Sequence, residues 1–252
     1  MIPARYASTR FPGKPLVELA GRPMLHWVYG NACRSGAEQV LVATDDERIA
    51  QAARSCGAPV VMTAPTHASG TDRIAEAAAL AGWGPRDIVV NLQGDEPLLP
   101  PVLLRQVAEL LERHPGADLA TLATPVRSVE EYLDPNVVKV VAAPDGRALY
   151  FSRAPIPWHR DGAEAGGAPR FAGARRHIGL YAYRVEALAR LATLPVAALE
   201  DTEKLEQLRA LAAGLEIRVI DALEHPGQDV NTPADVERAG ALLAARHGAP
   251  RH

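Results

Sequence analysis

The run Gln39-Val40-Leu41-Val42-Ala43-Thr44 constrains the fold more than any other stretch. It is too short for a buried helix and lacks polar alternation, which suits a parallel strand buried on both faces. A helical pattern over 46–56 and a second apolar run at 59–63 follow it. Further on come a strand ending near 91, a helix over 101–113 and a strand over 118–125. Strands alternating with helices predict an α/β fold with a mainly parallel sheet covered on both sides. Ligands of that architecture bind at the carboxyl ends of the strands. Pro23 opens an earlier helix, running to about Ser35, at the position where its missing N–H costs nothing. With 252 residues and no linker or repeat, we expect one domain over 1–252.

The opening segment Ile2–Leu16 carries Arg5, Arg10 and Lys14 among small residues and prolines. Arg holds phosphate oxygens as a planar fork and Lys as a point charge. Small neighbours let backbone N–H groups approach an anion too. A solvated basic loop is the plain alternative. Pro-restricted backbone and the apolar run after Gly13-Lys14 favour a triphosphate cradle. It is not a Walker A loop, because Thr9 stands where the first Gly belongs and Pro15 follows Lys14. The net charge of −3 offers no general attraction for nucleic acid, so the phosphate site must be local. An apolar strand should lead into this loop, yet only Met1-Ile2-Pro3 precedes it, so the first strand is expected to be short or missing.

Strand ends supply the other polar groups. Thr44-Asp45-Asp46 serves either as a helix cap or as a ligand contact. Ser69-Gly70-Thr71-Asp72-Arg73 opens a helix, and its Gly allows close approach of a ribose or base. Asp87–Pro97 is an apolar strand ending in Gly94-Asp95-Glu96. A carboxylate at a strand end meets what Mg²⁺ requires, namely oxygen ligands completed by substrate phosphates. Asp95 is the expected ligand, and Glu96 stays open. Cys33 and Cys56 match no metal spacing and read as small buried residues. No apolar run approaches the ~20 residues of a membrane span. No membrane partner is expected, and the cytoplasm is the expected compartment.

The pattern changes after Pro125. Strands at 137–141 and 148–152 flank Pro144-Asp145-Gly146-Arg147, a hairpin signal. This antiparallel insertion is expected to stand apart from the sheet, followed by a loop over 160–174. Residues 175–184 alternate at strand period and place His177, Gly179, Tyr181 and Tyr183 on one face. A continuous helix over 199–208 brings Glu203, Glu206 and Gln207 together, with Leu205, Leu208 and Ala212 on its core stripe. Thr232-Pro233 starts the last helix with Asp235 as capping partner, and Asp229 and Asn231 point the same way just before it.

Pro3-Ala-Arg-Tyr-Ala-Ser-Thr-Arg-Phe-Pro-Gly-Lys-Pro-Leu16 closely resembles the opening signature of the 3-deoxy-manno-octulosonate (Kdo) cytidylyltransferase family. Asn91–Pro97, Arg175–Arg184 and Leu205–Arg209 extend the resemblance over almost the whole chain. It implies a nucleotide-diphospho-sugar transferase fold and transfer of CMP from CTP to Kdo for lipopolysaccharide synthesis. In those terms Pro3, Ala4, Arg5, Arg10 and Lys14 wrap the CTP phosphates, while Ser69, Gly70 and Arg73 surround the nucleoside. Gln93, Arg153, His177, Tyr181, Glu206 and Gln207 hold the sugar acid. Arg10, Lys14 and Asp95 carry the catalysis. Mg²⁺ is the implied cofactor, on Asp95 and on position 231, where the family usually has Asp and this chain has Asn; Asp229 stands beside it. A homodimer formed through the insertion at about 126–185 is also implied. The alternatives are another sugar acid, such as sialic acid or an 8-amino Kdo analogue, or a nucleotide-binding regulator without chemistry.

Overall fold

Strand β1 (Ile2–Pro3) is two residues long, as short as expected. The computed structural model describes residues 1–7, 11–67, 69–160 and 169–248. After a 3-10 turn at Lys14–Leu16 come a small hairpin, β2 (Glu18–Leu19) with β3 (Arg22–Pro23), and helix α1 (Met24–Cys33). The predicted alternation then appears as β4 (Val42–Thr44), α2 (Glu47–Ser55), β5 (Val60–Met62), α3 (Gly70–Leu80) and β6 (Ile88–Asn91). Helix α4 (Pro101–Glu112) leads to β7 (Leu119–Pro125). The second half contains α5 (Val129–Leu133), β8 (Lys139–Ala142), β9 (Ala148–Ser152), β10 (Arg175–Arg184) and α6 (Val185–Thr193). It ends with α7 (Ala198–Glu203), α8 (Gln207–Ala212), β11 (Ile217–Asp221) and α9 (Pro233–Gly248).

Strands β1, β4 and β5 are parallel. Met1 carries the sheet onward to β6, its N–H₃⁺ donating to Val90 O at 2.9 Å and its carbonyl accepting from Leu92 N at 3.0 Å. Next to β6 lies β10, antiparallel to both β6 and β7, and β11 closes the edge parallel to β7. The sheet is thus mainly parallel with one long antiparallel strand inside it. Apolar side chains cover both faces. Val28, Ile49, Leu103 and Leu243 pack on one, and Ile74, Phe151, Leu188 and Leu208 on the other.

Three expectations need correction. The hairpin β8–β9 does not stand apart. It joins the amino-terminal half of β10, where Arg176 pairs Lys139 and His177 N donates to Val138 O at 2.8 Å. Strand β10 outruns β6, and its overhanging backbone groups require partners. Secondly, the helix over 199–208 is broken. Lys204 adopts a left-handed conformation (φ 53°) between α7 and α8. Leu205 and Leu208 still reach the core, but Ala210 is buried there and Ala212 is exposed. Thirdly, Cys33 is exposed and Cys56 only half-buried. The loop expected over 160–174 lies partly outside the described residues.

Strand β10 keeps the predicted face through an irregularity. Ile178 pairs Leu122 and Tyr181 pairs Thr121, so Gly179 and Leu180 are extra. An even insertion preserves parity, and His177, Tyr181 and Tyr183 remain stacked, with ring centroids 5.3 and 5.7 Å apart. Thr121 Oγ1 lies 3.0 Å from Ile178 O and 2.8 Å from Leu180 O, so its single proton is placed between two carbonyls at the bulge.

Candidate functional site

Strands β6 and β8 share one edge of β10 and part from each other along it. Three adjoining cavities open around this gap, at the carboxyl ends of β1 and β6. Gln93, in the turn after β6, lines all three.

The first cavity, of about 240 Å³, is walled by Pro3, Ala4, Arg5 and Lys14 from the opening segment. Ser69, Gly70 and Arg73 form the opposite wall, with Gly94, Asp95 and Asn231 at one end. Arg10 lies outside the described residues. Gly13, at φ +70°, closes the loop by donating its N–H to Tyr6 O at 2.9 Å. A Cβ there would press on the Tyr6 ring at 3.2 Å, so Gly serves both the turn and the packing. Ser69 caps α3, accepting from Asp72 N at 3.1 Å, and the helix N-terminus favours an anion. Arg73 is buried and ion-paired with Asp45 at 3.1 Å, so it braces this wall. Asp46 caps α2 by accepting from Arg48 N at 2.9 Å, which resolves the second acid of that pair as a cap.

At the junction of the first and second cavities, Lys14 Nζ donates to Asp95 Oδ2 at 2.7 Å and to Asn231 Oδ1 at 2.9 Å. One ammonium therefore bridges the two side chains assigned to the metal. Asn231 Nδ2 donates to Asp229 Oδ2 at 3.2 Å, confirming that residues 229 and 231 share a side. The second cavity, about 340 Å³, adds Glu96, Asp229, Asn136 and His177. Burial, with the nearby Asp95 and Asp229 charges, pushes the Glu96 carboxyl up to about 8, and its Oε2 is buried without a partner. Among the described residues no group of three or more His, Cys, Asp or Glu is arranged to hold a metal. The oxygen donors here are Asp95, Asn231 and Asp229. They fit a hard cation that draws its remaining ligands from phosphates.

The third cavity, about 80 Å³, brings together Tyr181, Glu206 and Gln207 with Gln93, Asn91 and Thr71. Tyr181 Oη and Asn91 Oδ1 are buried without partners, one a donor and the other an acceptor. Glu206 accepts from Ser69 Oγ at 3.1 Å and Thr71 Oγ1 at 2.7 Å, tying α8 to the start of α3. The remaining sugar residues fall elsewhere. His177 faces the second cavity, its Nε2 3.1 Å from Thr121 Oγ1, and burial lowers its pKa to about 3, so the ring is neutral. Arg153 lines none of the three cavities. Its guanidinium donates to Glu203 O and Pro135 O at 2.7 and 2.8 Å. Glu203 is likewise withdrawn from Glu206 and accepts from Ser152 Oγ and Arg153 N. Buried Lys139 joins the same knot through the carbonyls of Asp134 and Arg153.

Sequence reasoning passed over Asn91, Thr71 and His67. Asn91 ends an apolar strand and reads as its last residue. Thr71 reads as helix capping. His67 lines the first cavity and bonds Glu76 at 2.5 Å, a contact between segments that no local pattern announces.

A basic loop, a strand-end acid and adjoining polar cavities on one α/β sheet are the arrangement of a nucleotidyltransferase, and the comparisons give that class. The cytidylyltransferase family model matches residues 1–217. A Thioalkalivibrio sulfidiphilus protein named 3-deoxy-manno-octulosonate cytidylyltransferase is 57% identical, over 97% of this chain and 98% of its own. One of the same name from Pseudomonas syringae pv. syringae is 51% identical, over 96% of each. The CTP complex of CMP:2-keto-3-deoxy-manno-octonic acid synthetase superposes with a TM-score of 0.88 at 41% identity, covering 97% of each chain. The chain belongs to the 3-deoxy-manno-octulosonate cytidylyltransferase family.

Proposed function

We propose that this enzyme transfers CMP from CTP to the anomeric hydroxyl of Kdo, releasing pyrophosphate. The observation that carries it is the meeting of the loop-walled cavity and the two polar cavities at Gln93. CTP would lie along the opening loop with its nucleoside against Ser69 and Gly70. Kdo would enter from the other side, its hydroxyls facing Tyr181, Asn91, Gln207 and Glu206. The anomeric oxygen attacks the α-phosphorus in line, the bond to the β-phosphate bridging oxygen breaks, and the hydroxyl proton is released. Catalysis is then mainly positioning and charge neutralisation. Lys14 and Arg5 meet the charge of the leaving pyrophosphate, and neutral His177 orients the sugar by hydrogen bonding.

Asp95 would hold Mg²⁺, with Asn231 and Asp229 as the polar groups beside it. When bound, the ion supplies charge neutralisation for the phosphates. Exposed Leu133 (47%), Leu149 (51%) and Trp158 (64%) lie within 126–185 and support a homodimer through that segment. Equilibrium sedimentation at micromolar concentration tests it. Among the described residues no helix is long and apolar enough to cross a membrane. We place the reaction in the cytoplasm, as a step towards lipopolysaccharide.

Pyrophosphate release from CTP and Mg²⁺ with Kdo, its 8-amino analogue and sialic acid tests the assignment. Release should be fastest with Kdo. Preference for another sugar acid, or none with any, would remove this reading.

A further inference from the structure

We propose that Asp229 is the second carboxylate of the divalent-cation site, and that Asn231 positions it rather than binding the ion. This rests on the nucleotidyltransferase reading and specifies which side chains serve its metal. Val230 is fully buried, and its N–H donates to Asp95 O at 2.9 Å. That bond pins the extended segment against the strand-end turn. With Val230 turned into the core, Asp229 and Asn231 face outward on the same side.

The amide of Asn231 has one satisfied orientation. Its Oδ1 faces the Lys14 ammonium and its Nδ2 faces the Asp229 carboxylate. Turning it over would set NH₂ against a cation and oxygen against an anion. Both polar atoms are thereby committed, in the order Asp95, Lys14, Asn231, Asp229. An Asp at 231 would place a carboxylate against Asp229, whereas Asn ties Asp229 in place.

Each carboxylate keeps an uncommitted oxygen. Asp95 Oδ2 accepts from Lys14 and Asp229 Oδ2 from Asn231, and among the described residues Oδ1 of each has no donor. Both acids line the same cavity as Glu96, whose Oε2 is buried and unpartnered. Two carboxylates completed by nucleotide phosphates are what a small hard cation takes. The neutral amide of Asn231 alone would leave the charge of Asp95 to do this unaided.

Mn²⁺ titration of the whole protein, followed by the EPR signal of the free ion with and without CTP, tests the assignment. Asp229→Asn should weaken Mn²⁺ binding about 10-fold or more, the range expected when a site loses a charged ligand or its orienting group. Asn231→Ala should weaken it less, and the double variant should bind no worse than Asp229→Asn alone. CTP binding measured in EDTA, with thermal melting, reports whether each variant is folded; Asp229→Ser replaces Asp229→Asn if that variant is not. Wild-type Mn²⁺ affinity in the folded Asp229 variant, or additive losses in the double variant, would overturn the proposal. Kdo takes no part in the titration, so failure to form CMP-Kdo stays a separate result.

Discussion

Lys14 Nζ lies 2.7 Å from Asp95 Oδ2, so the cation of the opening loop and the acid in the turn after β6 neutralise each other across the cleft. Neither is free for substrate while paired. Phosphates in the first cavity would compete for Lys14, and while the ammonium stays on Oδ2 its charge opposes a cation arriving at Oδ1 of Asp95.

The Lys14→Met variant should therefore show two opposite effects. Charge-assisted phosphate contacts contribute about 1.5–3 kcal/mol, so the KM for CTP should rise roughly 10- to 100-fold. Mn²⁺ binding without nucleotide should tighten, because the competing ammonium is gone. An unchanged KM would dismiss the cradle, and weaker Mn²⁺ binding would dismiss the competition.

Glu206 and Gln207 should separate in their effects on the two substrates. Glu206 is hydrogen-bonded to Ser69 and Thr71 on the nucleoside side, so Glu206→Ala should raise the KM of both CTP and Kdo. Gln207 lines only the third cavity of the three, so Gln207→Ala should raise the KM for Kdo alone. Steady-state kinetics with each substrate varied checks this. A purely CTP-directed effect of Gln207→Ala would show that the third cavity does not hold the sugar.

His177 predicts an acid-side loss of stability. Its pKa is lowered from the ordinary 6.5 to about 3 by burial, so below about 6.5 the unfolded chain binds a proton that the folded one refuses. The contribution is fully present above 6.5 and declines as pH falls towards 3. Urea midpoints of wild type should drop over this range more steeply than those of His177→Gln. Parallel curves would mean that the ring takes up its proton as readily in the fold as in the unfolded chain.

Gly227 should resist substitution. It sits at φ +87°, and a Cβ would come within 2.9 Å of the Leu98 carbonyl oxygen. Strain of this kind costs about 1–3 kcal/mol. Gly227→Ala should lower Tm by several degrees. A Tm equal to wild type would show that the turn relaxes freely.

The residues that announce themselves are those whose neighbours in sequence are also their neighbours in space. Lys14 beside Gly13, Asp95 after its strand and the alternating face of β10 belong to this kind. Asp46, Ser69 and Thr232 act as caps because capping is local. What the chain conceals is set at long range. The order of strands, with β10 between β6 and β7, depends on pairings that periodicity does not specify. Lys204 breaks a helical pattern that continues through it on paper. Arg153 looks like a free cation until Glu203 and Pro135, 50 and 18 residues away, engage its guanidinium. Asn231 reads as a lost charge, and only its contact with Asp229 shows where a charge persists.

The ten residues of β10 contribute His177 to one cavity and Tyr181 and Tyr183 to another, while pairing with three neighbouring strands. Inserting or deleting a single residue there would turn every one of these side chains over to the opposite face. The lining of both cavities can therefore change by substitution along β10, but not by a one-residue change in its length. The β8–β9 hairpin is fixed at its tip as well, where Val219 N donates to Gly146 O at 2.8 Å and Arg218 pairs with Asp145, so its length is constrained at both ends.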